Sequence, residues 1–215
     1  MYFFDNKRIK VIDMNKIIYK IILFLLTISF SVFALGEDLK DNASASQKQN
    51  QVINVADFKG IQVTGITVTK DGRIFANAPR WRKGVPFSVV EIMPDKTIKP
   101  YPNESMNNWE IGDNISNKFI SVQSVVAHGN YLYVLDTANP MFKGLIAEPR
   151  VYVYDLKSNK LPKIYTFPPS VVKKNSYTND LRIDDKKSKI YFTDSGAAGL
   201  IILDLKTGQF TRALD

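Results

Sequence analysis

Phe75, Tyr133 and Tyr191 stand 58 residues apart, each inside a similar apolar run. A fixed period of this length marks stacked supersecondary units, so it constrains the architecture before any motif is read. Aligned on it, Arg73-Ile-Phe-Ala-Asn77, Tyr131-Leu-Tyr-Val-Leu135 and Lys189-Ile-Tyr-Phe-Thr193 are rich in β-branched and aromatic residues and read as equivalent strands. A short strand and a tight turn precede each: Gly65 to Thr69 with Asp71-Gly72, Gln123 to Ala127 with Gly129-Asn130, and Leu181 to Asp184 with a Lys-rich turn. Gly and Asn supply the positive φ that such hairpins need. A third strand (Ser88 to Ile92, Val151 to Leu156, Leu200 to Leu205) and a fourth (Thr97 to Tyr101, Lys163 to Phe167, Gln209 to Ala213) complete each unit.

Four-stranded units at long period are the mark of a β-propeller, whose blades bury their faces against one another. The expectation is an all-β chain with about three blades, near residues 61–102, 119–168 and 177–215. A β-sandwich is the other arrangement open to such strands, and the strand order common to the three units favours the propeller.

Ahead of the blades, Lys16 and Lys20 precede Ile21-Ile-Leu-Phe-Leu-Leu26 and an apolar run to Phe33, and Val32-Phe-Ala34 has the small-residue spacing of a signal-peptidase site. Residues 1–34 therefore read as an export signal, with Met14 as an alternative start and an uncleaved membrane anchor as the other reading. Residues 35–56 lack apolar periodicity and read as a flexible linker, leaving 57–215 for the blades. The expected location is secreted or periplasmic.

The chain has no cysteine, which excludes thiol nucleophiles and Cys-based metal sites. Its net charge of +8 falls to +5 beyond Ala34, and Lys173-Lys174 and Lys186-Lys187 read as solvated turns, so no nucleic-acid partner is expected. The single histidine, His128, sits in a hairpin turn, which leaves no Ser-His-Asp arrangement. Asn42-Ala-Ser44, Asn103-Glu-Ser105 and Asn114-Ile-Ser116 match the glycosylation sequon and carry no weight.

In a propeller, the starts of the innermost strands and the loops after the second strands meet at one mouth of the central channel. That rule gathers Gln123, Asn179 and Asp180 from strand starts, and Arg80, Trp81, Asp136, Thr137, Asp194 and Ser195 from loops, as candidate ligand-binding residues. Arg80 offers a planar fork for a carboxylate and Trp81 a ring to stack on, or both serve blade packing. Asp136 and Asp194 hold one position of successive units; capping a turn is the favoured reading and ligand contact the sharper one. The Asn179-Asp180 pair presents oxygens of the kind Ca²⁺ takes, with Asn179 as the candidate ligand, although two groups fall short of that ion's six to eight.

At these same residues the chain resembles the yellow and major royal jelly protein family. The resemblance lies in Ile74-Phe-Ala-Asn-Ala-Pro-Arg-Trp-Arg-Lys-Gly-Val-Pro86, Leu132-Tyr-Val-Leu-Asp-Thr137, Tyr154-Asp-Leu156 with Phe167-Pro168, Thr178-Asn-Asp-Leu-Arg-Ile-Asp184, Tyr191-Phe-Thr-Asp-Ser195 and Gly199-Leu-Ile-Ile-Leu-Asp204. It implies a secreted six-bladed propeller whose members are linked to dopachrome conversion, small aromatic amine binding, or nutritional and signalling roles. Absent cysteines depart from many animal members and, with the signal, suggest a bacterial relative. Asn179-Asp180 followed by Tyr191-Phe-Thr-Asp194 is also similar to the regucalcin and gluconolactonase group, where the Asn would bind metal; the early Glu used there has no counterpart in Ile61 to Thr67.

Six blades at this period need about twice this length, so the expectation is the N-terminal half of a ring, a truncated or split product with open blade faces prone to self-association. An open face of about 500 Å² at about 25 cal/mol per Å² would forfeit roughly 12 kcal/mol. The function expected is binding of a small, aromatic ligand. Isomerase or metal-dependent lactonase activity, and a non-catalytic protein-interaction surface, are the alternatives.

Overall fold

The structure, a computed structural model, describes residues 52–214. The export segment, the alternative start at Met14, the Asn42 sequon and the linker up to residue 51 lie outside the described residues. Every element below lies in the unit Asn54–Asp215.

Twelve strands make three antiparallel sheets, each paired in chain order. The first holds β1 (Gly65–Val68), β2 (Ile74–Asn77), β3 (Val89–Ile92) and β4 (Ile98–Pro100). The second holds β5 (Val122–His128), β6 (Tyr131–Asp136), β7 (Arg150–Asp155) and β8 (Lys163–Thr166). The third holds β9 (Thr178–Asp184), β10 (Lys189–Asp194), β11 (Gly199–Asp204) and β12 (Phe210–Ala213). Three four-stranded meanders packed face to face are the blades of a partial β-propeller, as the 58-residue period predicts.

Strand alternation sends successive side chains to opposite faces, and the middle blade uses both. From β6, Leu132 and Val134 join Phe75, Val89 and Tyr101 of the first blade, whereas Tyr133 and Leu135 join Leu181, Ile190 and Phe192 of the third. The period therefore marks one structural position, the ring that packs onto the following blade: Phe75 against blade two, and Tyr133 against blade three. The strands that neighbour each other across blades are β1, β5 and β9, so the first strand of each unit is innermost.

Two features outside the strands finish the first blade. A single helical turn, α1 (Glu104–Asn107), follows the first blade, capped by the Asn103 carboxamide accepting from the Met106 amide. Its Asn107 is buried and ties the turn to β3, accepting from the amides of Ser88 and Val89 at 2.8 Å each. The second feature concerns the first blade's far face, expected to be open. Ala56, Phe58, Ile61 and Val63 pack with Ala76, Val90 and Ile92 over that face, so the segment before β1 already covers much of it. Only the innermost strand escapes, with Ile66 and Val68 each 59% exposed.

Candidate functional site

A cavity of about 560 Å³ runs along the innermost strands, lined by Thr64 to Thr67, Gln123 to Val126, Asn179, Asp180 and Arg182. That volume is within the range of small-molecule sites. Two irregularities build its polar wall. In β5, Val122 pairs with Asp136 and Ser124 with Leu135, leaving Gln123 as the extra residue of a bulge; in β9, Thr178 pairs with Asp194 and Asp180 with Thr193, leaving Asn179 in the same position. Bulges re-aim side chains and favour sites beside ligands. Here they bring two carboxamide residues from adjacent blades to the wall of one cavity.

Asp180 is held beside them. Its carboxylate accepts from the Ser124 hydroxyl and from the Leu181 amide at 2.8 Å each, and pairs with Arg182 at 2.7 Å. Gln123 reaches the other way, its Oε1 accepting from the Tyr177 hydroxyl at 2.7 Å. The same hydroxyl accepts from the Trp81 indole N–H at 2.5 Å. Phe142 stacks on Tyr177 with ring centroids 4.8 Å apart and lies 5.5 Å from the Trp81 ring. A hydrogen-bonded aromatic cluster drawn from all three blades thus adjoins the cavity through Gln123. Burial pushes the Tyr177 phenol up to about 12, against the pull of the Trp81 indole and the Ser121 hydroxyl, so it stays a neutral donor.

Phe142 is presented by a short 3₁₀ turn, Pro140–Phe142, in which Met141 and Phe142 take φ of 56° and 59°. With Ala138 at 51°, three non-glycine residues within five occupy the left-handed region. Each costs on the order of 1 kcal/mol, a pattern that gathers at functional sites.

The remaining candidates take up structural positions. Asp136 is buried and accepts from the amides of Ile120, Ser121 and Ala138 at 2.7 to 2.9 Å. Asp194 likewise accepts from the amides of Tyr177, Gly196 and Ala197, and also from the Ser176 hydroxyl and Arg212. Both carboxylates cap turns at the mouth, the favoured reading of their repeat position. Thr137 is fully buried beside Asp136, and Ser195 is exposed with its amide bonded to the Tyr177 carbonyl.

Arg80 is 2% exposed and turned inward. Its guanidinium donates to the Ser88 hydroxyl and to the carbonyls of Asn107 at 2.6 Å and Phe119 at 2.9 Å, over the Trp109 ring at 5.4 Å. It fastens β3, α1 and the approach to β5, which a ligand-contact reading of the Arg80-Trp81 pair does not anticipate. Adjacent residues in an irregular loop diverge, and only Trp81 faces the cluster.

The sequence reading missed Tyr177, Phe142 and Arg182. Tyr177 is adjacent to the strand start at Thr178, where the mouth rule could have found it; nothing local distinguishes Phe142, which follows a proline in an irregular loop. Among the described residues, no three His, Cys, Asp or Glu side chains converge as a metal-binding group. No helix among them is long and apolar enough to cross a membrane.

Residues 120–214 match the family described as Major royal jelly protein. A dopaminechrome tautomerase of Drosophila melanogaster is 33% identical over 153 residues, covering 64% of this chain and 32% of that protein. Protein yellow of Drosophila pseudoobscura pseudoobscura is 28% identical over 142 residues, covering 60% and 25%. The matched region thus spans a third or less of these relatives' length. Among solved structures, a Bacteroides caccae protein superposes with a TM-score of 0.46 at 10% identity, over 74% of this chain and 47% of that one, a likeness too weak to carry any argument.

Proposed function

For a chain that belongs to the yellow and major royal jelly protein family, we propose a secreted propeller that binds a small aromatic ligand at the mouth of its central channel. The observation that carries this reading is the junction at Gln123, a bulge residue that lines the cavity and accepts from the Tyr177 hydroxyl of the aromatic cluster. An aromatic ring stacks on Tyr177 and Trp81, while polar substituents reach the carboxamides of Gln123 and Asn179 and the carboxylate of Asp180. Asp180 also suits an ammonium group. The apolar segment ending at Val32-Phe-Ala34 supports export.

A second reading, isomerisation of an aminochrome, is favoured by the name of the Drosophila relative, dopaminechrome tautomerase. Asp180 is then the group placed to move a proton, since it is the carboxylate lining the cavity. The two readings separate in one experiment. Titration with dopamine, followed by tryptophan fluorescence, gives saturable quenching that Gln123→Ala weakens about tenfold; loss of dopaminechrome absorbance at a rate that Asp180→Asn abolishes identifies the enzyme. Absence of saturable quenching with dopamine and of any turnover rejects both.

A further inference from the structure

Phe142 covers the very surfaces that the proposed ligand would use. Its ring lies against Tyr177 at 4.8 Å and Trp81 at 5.5 Å, yet the side chain is 60% exposed, so it roofs the cluster without being packed into a core. The backbone beneath it is strained at Ala138, Met141 and Phe142.

We propose that Phe142 is a displaceable plug, a specificity-determining side chain that occupies the stacking position on Trp81 and Tyr177 until a ligand ring replaces it. This rests on the reading of the mouth as a small-ligand site. Around the ring the Met141 amide donates to the Arg80 carbonyl at 2.8 Å, the Lys143 amide to the Pro140 carbonyl at 3.3 Å and the Gly144 amide to the Asn139 carboxamide at 2.8 Å, while the loop's ends are anchored by the Asn139 carboxamide donating to the Ser176 carbonyl at 2.9 Å and the Ile146 amide to the Ala138 carbonyl at 3.0 Å. A strained turn with one exposed anchor ring opens locally at little cost. Ligands too small to cover both aromatic faces gain less than Phe142 gives up, so the plug selects for flat rings of at least its own size.

The test compares the full chain with Phe142→Ala in calorimetric titrations with dopamine, alongside amide hydrogen exchange of the unliganded wild type. Competition by the plug predicts that Phe142→Ala binds at least about tenfold more tightly. It also predicts that the Met141, Lys143 and Gly144 amides exchange at least about a hundredfold faster than those of β6, although all are hydrogen-bonded. Unchanged or weaker binding by Phe142→Ala overturns the plug and makes Phe142 a packing or contact residue, and protection equal to that of β6 overturns it independently. If neither protein takes up dopamine, the small-ligand reading falls and the exchange result alone decides the plug.

Discussion

Asp136 and Asp194 occupy one position of the repeat and carry opposite electrostatics. Burial raises the Asp136 pKa above the ordinary carboxylate range, because three backbone amides and the distant Arg80 do not offset desolvation. For Asp194, burial works the same way, but the Ser176 hydroxyl, the amides of Ala197 and Tyr177 and the Arg212 guanidinium outweigh it and hold the pKa below that range. The stability consequences have opposite signs. The depressed pKa of Asp194 contributes stability above the unfolded carboxylate pKa of about 4, lost as pH falls through the lower folded value. The raised pKa of Asp136 favours the fold most at low pH, and that contribution is lost as pH rises from about 4 through the higher folded value. Asp194→Asn is therefore expected to cost about 3 kcal/mol at pH 7, measured by denaturant unfolding, because it removes a buried charge that the Ser176 hydroxyl, three backbone amides and Arg212 all hold. Asp136→Asn is expected to cost less at pH 7 and to flatten the fall in stability as pH rises from about 4. A wild-type decline that survives in Asp136→Asn would contradict that assignment.

At the scale of elements, the hairpins and the loops between them were legible to different degrees. Strand positions followed from alternation and turn chemistry because each strand's burial depends on its own residues and its nearest neighbours. The position of Gln123 and Asn179 along the inner strands was legible too, since it follows from where each unit's first strand begins. The bulges that aim them were not, because register depends on the partner strand. Arg80 shows the converse: its motif was visible, but its direction is set by carbonyls far along the chain, at Asn107 and Phe119. Two substitutions test these placements. Arg80→Lys, which cannot reproduce the fork, should destabilise by about 2 kcal/mol or more and leave dopamine affinity in the folded fraction unchanged. Gly196→Ala should do both kinds of harm. A Cβ there would run into the Asn175 carbonyl oxygen and approach the Tyr177 amide nitrogen at 2.8 Å, backbone atoms that cannot step aside. A loss of roughly 2 kcal/mol in unfolding free energy and weaker dopamine binding are expected together; a stable variant with normal binding would separate the turn from the site.

On the scale of the whole molecule, one grammar of four strands produces both the stacked core and the candidate site beside it. Phe75 and Tyr133 at the repeat position pack onto the following blade, while the innermost strands carry polar groups on their channel side. What the period could not reveal is how the first blade is finished. Ala56 to Val63 covers its outer strands through contacts that no repeat encodes, because that segment has no equivalent in the later units. Nor could it show that three loops of unrelated sequence would bring Trp81, Phe142 and Tyr177 together. The central claim is that a small aromatic ligand occupies the channel mouth in contact with Gln123, Asn179 and Asp180. A crystal structure of the chain soaked with dopamine tests it most directly: density for the amine in the cavity, with its ring on Tyr177 or Trp81 and polar atoms on those three side chains, is the predicted result. An empty cavity at saturating dopamine, or density confined to another surface, would contradict it.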